Sequence, residues 1–229
     1  MDVVIPFRHS KNLDRELIYT LRSAEKFIPD LGNVFIVGRL PYWSSRLLYC
    51  LSVADLPSID IYQNRNIALK LTKACYDKRI SDDFIVTDDD MILTKTWDFG
   101  YYHRGPMFDE TGTYSYTNQN TLSLFPGKKI NNFNVHAPHV YNKQKFIRSV
   151  ASIDWSIPYG YSIHTIYAVM NGIEGTYSKS LKYRSRPTKD QLEQDVQKVN
   201  HFSFSDNAFK KDLKDFLQSM FPNKSKYES

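Results

Sequence analysis

The sequence is nearly devoid of cysteine. Cys50 and Cys75 are its only two, too few for a disulfide framework and without the paired spacing of a zinc site. It also lacks any apolar run near the ~20 residues that a membrane helix needs. The opening Met1-Asp2-Val3-Val4-Ile5-Pro6 has neither the basic start nor the long apolar core of a secretory signal. With reduced thiols as the default, these absences predict a cytoplasmic protein. No internal repeat or low-complexity linker interrupts the 229 residues, a length that suits one large domain.

What is present describes a folded chain. Hydrophobic residues make up 41% and aromatics 14%, enough for an ample core and too much for disorder. Tyrosine and phenylalanine serve packing first and polar clefts second. The net charge of +5 is uneven: eleven Lys/Arg and seven Asp/Glu fall between Ser178 and Ser229. That excess suits a polyanionic partner, and a well-solvated surface explains it equally.

Hydrophobic periodicity orders the chain into alternating elements. Val3–Phe7 reads as a strand, and Pro6, lacking an amide donor, suits its end. Leu13, Leu17, Leu21, Ala24 and Ile28 share one helix face, with Asn12 as N-cap and Pro29 as stop. Asn33–Val37 is a second strand. Residues 41–57 read as irregular, Ser58–Tyr62 as a third strand, Asn64–Lys78 as a second helix, and Phe84–Thr87 as a fourth strand. This order predicts an α/β fold with a mainly parallel central sheet and helices on both faces. Residues 97–129 read as loops and short strands, a usual place for substrate recognition. Tyr161–Met170 reads as a helix capped by Asn171-Gly172, residues 177–199 as a charged irregular stretch, and Asp206–Met220 as a last helix stopped by Pro222.

The fourth strand ends in Asp88, Asp89 and Asp90. Three adjacent carboxylates repel one another unless they are solvated or a divalent cation neutralises them. Ligands of open α/β sheets bind outside the carboxyl ends of strands. Mg²⁺ and Mn²⁺ favour carboxylate oxygens together with substrate phosphates. A nucleotide-sugar site follows as one reading and a solvated acidic turn as the other.

The motifs resemble the GT-A class of nucleotide-sugar glycosyltransferases. The N-terminal half looks closest to phage and bacterial members distantly like the Stealth capsule transferases. The matching segments are Asp2–Phe7, Glu16–Pro29, Asn33–Gly38, Phe84–Asp90, Val135–Lys143 and Phe221–Glu228, which cover most of the chain. The strand with its aspartates is the specific part. The resemblance implies a single GT-A-like, Rossmann-type domain over 1–229. Residues 1–93 would form its nucleotide-sugar half and 94–229 its acceptor half with the C-terminal helix. It implies donor contacts from Asp88, Asp89 and the Pro6-Phe7-Arg8 loop. The metal, Mn²⁺ or Mg²⁺, would be held by Asp90 with Asp88. A late histidine completes such sites: His201 is the first candidate and His136 the second, against the ordinary role of a hydrogen-bonded structural histidine. Lys224 and Lys226 would cover the diphosphate or form a plain basic tail.

Physical chemistry supplies the remaining candidates. Arg65 opens the second helix, where a phosphate can bind at the N-terminus. An inverting transfer needs a carboxylate base, and Asp154 is the candidate. Arg184 and Arg186, in a cluster with Lys179 and Lys182, are the candidate acceptor contacts. The expected activity is metal-dependent transfer of a sugar from a UDP-sugar to an acceptor hydroxyl. The acceptor is a hydroxymethylated base in phage DNA, which places the enzyme in host cytoplasm, or a polysaccharide or lipid-linked glycan. The rival readings are a Stealth-type sugar-phosphate transferase and a non-enzymatic basic module that binds nucleic acid.

Overall fold

The computed structural model describes residues 1–57, 59–108, 114–179 and 181–229, with backbone only at 59 and 60. The first half alternates as expected: β1 (Asp2–Pro6), α1 (Arg15–Phe27), β2 (Val34–Val37), β3 (Leu48–Leu51), α2 (Ile59–Tyr76) and β4 (Asp83–Val86). The central sheet has the order β3-β2-β1-β4-β7, where β7 is His139–Asn142. All pairings are parallel except β4 with β7. β1, β2 and β4 are buried on both faces, which is why they read as near-continuous apolar runs. Val3, Ile5, Val34, Ile36 and Ile85 pack with Leu17, Leu21 and Ala24 of α1. The alternate residues Val4, Phe35, Val37, Phe84 and Val86 pack with α2, α4 (Lys143–Val150) and α5 (Ile163–Met170). Each such side chain contributes about 1.5–3 kcal/mol by leaving water. A charged residue at Ile85, which has no exposure, would therefore break the sheet.

A smaller sheet joins β5 (Met91–Leu93), β10 (His201–Phe204) and β9 (Lys182–Tyr183). β10 runs antiparallel to β5 and parallel to β9. Its apolar face packs with Leu192 of α6 (Lys189–Val196) and with Leu213 and Leu217 of α7 (Lys211–Met220). A two-stranded ribbon of β6 (Tyr102–His103) and β8 (Thr176–Tyr177) and the polar helix α3 (Ser115–Ser123) complete the described residues. None of their helices is long and apolar enough to cross a membrane.

Several expectations fail locally. The third strand is Leu48–Leu51, within the stretch that reads as irregular; 59–62 instead begins α2, which kinks at Tyr62, and Ser58 lies outside the described residues. Leu13 is not on the inner helix face. It precedes α1 with positive φ and is 60% exposed. Asn12 does not cap; it donates through its side chain to Glu16, and Asp14 stands at the cap position. Residues 97–129 contain α3, residues 177–199 contain β9 and α6, and the last helix starts at Lys211, not Asp206.

Candidate functional site

The chain steps from β1 to β2 to β3 on one side, then crosses to place β4 on the other side of β1. β1 and β4 are parallel neighbours, so their carboxyl ends open together at this switch of direction, where open α/β sheets bind ligands. Past β1, the Phe7 ring is buried. The Phe7 carbonyl accepts from Lys70 Nζ at 2.6 Å, and the same ammonium reaches Asp55 Oδ1 at 2.6 Å. A Cβ at Gly38 would lie 2.3 Å from that carbonyl oxygen, so the close approach requires glycine there.

Past β4 come the three aspartates. Asp88 Oδ2 lies 3.2 Å from His136 Nδ1, Asp90 Oδ2 lies 3.3 Å from Lys182 Nζ, and the Asp89 carbonyl accepts from Thr20 Oγ1 at 2.8 Å. One ligand atom each from Asp88, Asp90 and His136 falls within 4.8 Å of the others. Their surroundings separate the three acids. Burial would raise the Asp88 carboxyl, but the hydrogen bond and charge of His136 outweigh it and hold it well below the usual range. Burial raises Asp89, and the charges of Asp90 and Asp88 raise it further. Burial also raises Asp90, with Lys182 opposing. The cluster thus holds more carboxylate than its own cations balance. Two carboxylates and an imidazole form a ligand set that could hold a divalent cation.

Two cavities meet at this cluster. The first, about 460 Å³, is lined by Pro6, Phe7, Arg8, Asn66, Lys70 and the three aspartates. The second, about 380 Å³, is lined by Arg104, Asn134, His164, Tyr177, Lys179 and Arg184. Gln63, Ile67, Asp88, Tyr114, His136 and Lys182 line both. The two are lobes of one cleft with Asp88 and His136 at the junction.

The structure brings Pro6, Phe7, Arg8, Asp88, Asp89, Asp90 and Arg184 into this cleft, and leaves other candidates outside it. The histidine at the triplet is His136. His201 is opposite Leu93 in the smaller sheet, beside Tyr102. Asp154 is exposed and accepts from the Ser156 amide at 2.9 Å; the Ser156 side chain and then that amide lower its carboxyl, and it lines neither lobe. Arg65 lies against the Tyr62 ring, its guanidinium carbon 5.8 Å from the centroid, while Gln63 and Ile67 of the same helix face the cleft. Arg186 pairs with Asp212 at 2.9 Å on the surface. Lys224 donates to the Ser229 carbonyl, and Lys226 stacks on Tyr227, both away from the lobes. Sequence reasoning missed Lys70, Asn66, Gln63 and His164. Gln63, Asn66 and Lys70 recur at helical spacing, the one signal that pointed to a polar face on α2.

No protein-family model matches this chain, and no curated protein matches it. Solved structures do. The galactosyltransferase LgtC in complex with donor and acceptor sugar analogues superposes with a TM-score of 0.50 at 12% identity, covering 99% of this chain and 98% of that one. An active-site mutant of LgtC gives a TM-score of 0.51 with the same identity and coverage. The fold is GT-A-like, as the sequence resemblance implies.

Proposed function

We propose that this chain is a metal-dependent glycosyltransferase that moves a sugar from a nucleotide-sugar donor, a UDP-sugar, to a hydroxyl of a glycan. The observation that carries the reading is the Asp88, Asp90 and His136 cluster at the junction of two lobes, at the switch point of a GT-A-like sheet. It forms one transferase unit. Residues 1–93 supply most of the donor lobe, and 94–229 supply most of the acceptor lobe.

The nucleoside lies against Pro6, Phe7 and Arg8, and the diphosphate points at Asp88 and Asp90. Asp88, Asp90 and His136 would hold Mn²⁺ or Mg²⁺, which would supply positive charge against the departing diphosphate. His136 fixes Asp88 through its hydrogen bond, so the junction is oriented before the donor arrives. Lys182 lines both lobes and adds a positive charge beside the leaving group. Arg184 and Lys179 contact the acceptor. A glycan is favoured over DNA by the state of the basic residues that follow Arg184 in the chain. Arg186 is paired with Asp212, Lys189 with Glu193 and Lys198 with Asp195, which leaves fewer cations to neutralise a run of phosphates.

Incubation with a set of UDP-sugars, with and without Mn²⁺, tests the reading through its products. Mn²⁺-dependent release of UDP is expected. Release of UMP would mark a sugar-phosphate transferase. Duplex binding that is independent of Mn²⁺, with no turnover of any donor, would mark a nucleic-acid-binding module. Transfer to hydroxymethylated duplex DNA, falling steeply with salt, would return the acceptor to DNA.

A further inference from the structure

A third cavity adjoins the cleft. It encloses about 350 Å³ and is lined by Tyr102, Tyr177, Lys179, Asn200 and His201. That volume lies within the range of small-ligand sites. It shares Tyr177, Ser178 and Lys179 with the acceptor lobe, so those three residues form the wall between the two spaces. Tyr177 is 65% exposed on the wall, and Tyr102 is held by its hydroxyl on Asp98 at 2.7 and 2.8 Å. These rings offer flat apolar faces with polar rims.

His201 is the unusual member. It is 3% exposed, and neither ring nitrogen has a hydrogen-bond partner among the described residues. Buried polar groups are normally paired, so this imidazole suits a partner in the space that it lines. Burial holds its pKa near 4, so at neutral pH it presents one donor and one acceptor. A sugar hydroxyl is both acceptor and donor and can meet either. Leu181, Asp195, Lys198 and Val199 also line the space; the charges of Asp195 and Lys198 offset each other, and the aromatic faces with polar groups next to the acceptor lobe match a saccharide better than an ion.

We propose that this cavity is a subsite for the sugar one unit removed from the attacked hydroxyl, so that the acceptor is an oligosaccharide of at least two residues. This rests on the glycosyltransferase reading above. The wall residues Tyr177–Lys179 then contact the linkage between the two units, and the acceptor chain leaves the cleft past Tyr102.

The test compares methyl glycosides with methyl disaccharides ending in the same sugars, in the parent protein and in Tyr177→Ala and His201→Phe. Tyr177 is exposed and its loss spares the core. His201→Phe keeps the ring and removes both nitrogens. The parent is expected to favour disaccharides through KM. Each variant is expected to raise the disaccharide KM about tenfold, the loss of one good contact. In His201→Phe, whose residue lines neither lobe, monosaccharide kinetics and acceptor-free donor hydrolysis stay unchanged. A disaccharide is also expected to shift the His201 imidazole NMR signals in the presence of UDP. Equal use of mono- and disaccharides by the parent overturns the inference, as does a disaccharide KM unmoved by Tyr177→Ala together with unmoved His201 signals. Donor hydrolysis with no saccharide bound or glycosylated overturns it while the enzyme reading stands. No donor hydrolysis at all overturns both.

Discussion

Replacing Arg22 with Met tests how the end of the chain is held and whether that end takes part in the chemistry. The Arg22 guanidinium in α1 meets Glu228 as a fork, Nε to Oε1 at 2.8 Å and Nη2 to Oε2 at 2.7 Å. Its Nη1 donates to the Phe221 carbonyl at 2.8 Å. The side chains are only 10% and 5% exposed. Ser225 adds two donors to Glu228 Oε1, its amide at 2.7 Å and its hydroxyl at 3.0 Å. Burial pushes the Glu228 carboxyl up, but the hydrogen bonds from Arg22 and Ser225 outweigh it and hold the carboxyl below its usual value. In Arg22→Met that carboxylate stays enclosed without its cation. Breaking an enclosed pair in this way costs ~3–5 kcal/mol, and water at the rim of this one places it near ~3. A chain of this size loses ~2–4 °C of Tm per kcal/mol, so a fall of about 6–12 °C is expected near neutral pH. In the parent, the stability from Glu228 is present above its unfolded value of ~4.3 and is lost as pH falls through the lower folded value. In the variant the carboxyl titrates higher, so the deficit is full near pH 7 and shrinks toward about pH 4. Thermal melts at the two pH values measure this. A fall under about 2 °C near pH 7, or equal deficits at both, refutes the reasoning. Donor hydrolysis at room temperature should be unchanged, because Phe221–Ser229 lines neither lobe.

Three further outcomes are expected. His136→Ala should weaken Mn²⁺ binding at least about tenfold in a calorimetric titration without donor, as removal of a ligand requires, whereas His201→Ala leaves it unchanged; the reverse ranking would make His201 the ligand. Asp89→Asn should raise the melting temperature of the metal-free protein near pH 7 and leave it unchanged in acid. Burial and the neighbouring charges raise the Asp89 carboxyl, so its stability is full below the unfolded value and lost as pH rises through the folded one; equal melts near pH 7 would show that the repulsion is absent. Arg184→Gln should raise the acceptor KM while Arg186→Gln, which removes a surface pair with Asp212, does not; equal loss of duplex affinity in both would instead indicate phosphate contacts.

The fold was legible where burial is two-sided and failed where it is not. β1, β2 and β4 announce themselves because their consecutive β-branched residues pack into cores on opposite faces. β3 is an edge strand with Tyr49 37% exposed and no second neighbour among the described residues, so Leu48–Leu51 carries no such run. α3 escapes a search for apolar stripes because its buried face is Thr117, Asn118 and Thr121, held by hydrogen bonds. α6 buries Leu192 alone. The alternation in 58–62 suggests a strand, yet 59–62 forms the first turn of a kinked helix, since four residues fit either period.

The candidate site divides in the same way. Asp88, Asp89 and Asp90 are contiguous, so a single strand end displays them and the sequence suffices. Their partners are remote: His136 is 48 residues from Asp88, and Lys182 is 92 residues from Asp90. Neither distance is bridged by a local pattern; strand pairing bridges both. β7 runs antiparallel to β4, so the segment leading into it returns to the carboxyl end of β4, and His136 arrives there. β9 lies beside β10, which lies beside β5, and the chain of pairings brings Lys182 to Asp90. The same register sets His201 apart from the triplet. In an antiparallel pair Ser203 opposes Met91, next to the triplet, while His201 opposes Leu93. Two residues of strand amount to about 7 Å, more than a metal–ligand bond can span. A slip of two residues would have brought His201 alongside the triplet, and it would have kept every side chain on its face. Alternation alone therefore cannot say which of the two histidines stands at the triplet; the pairing partner does.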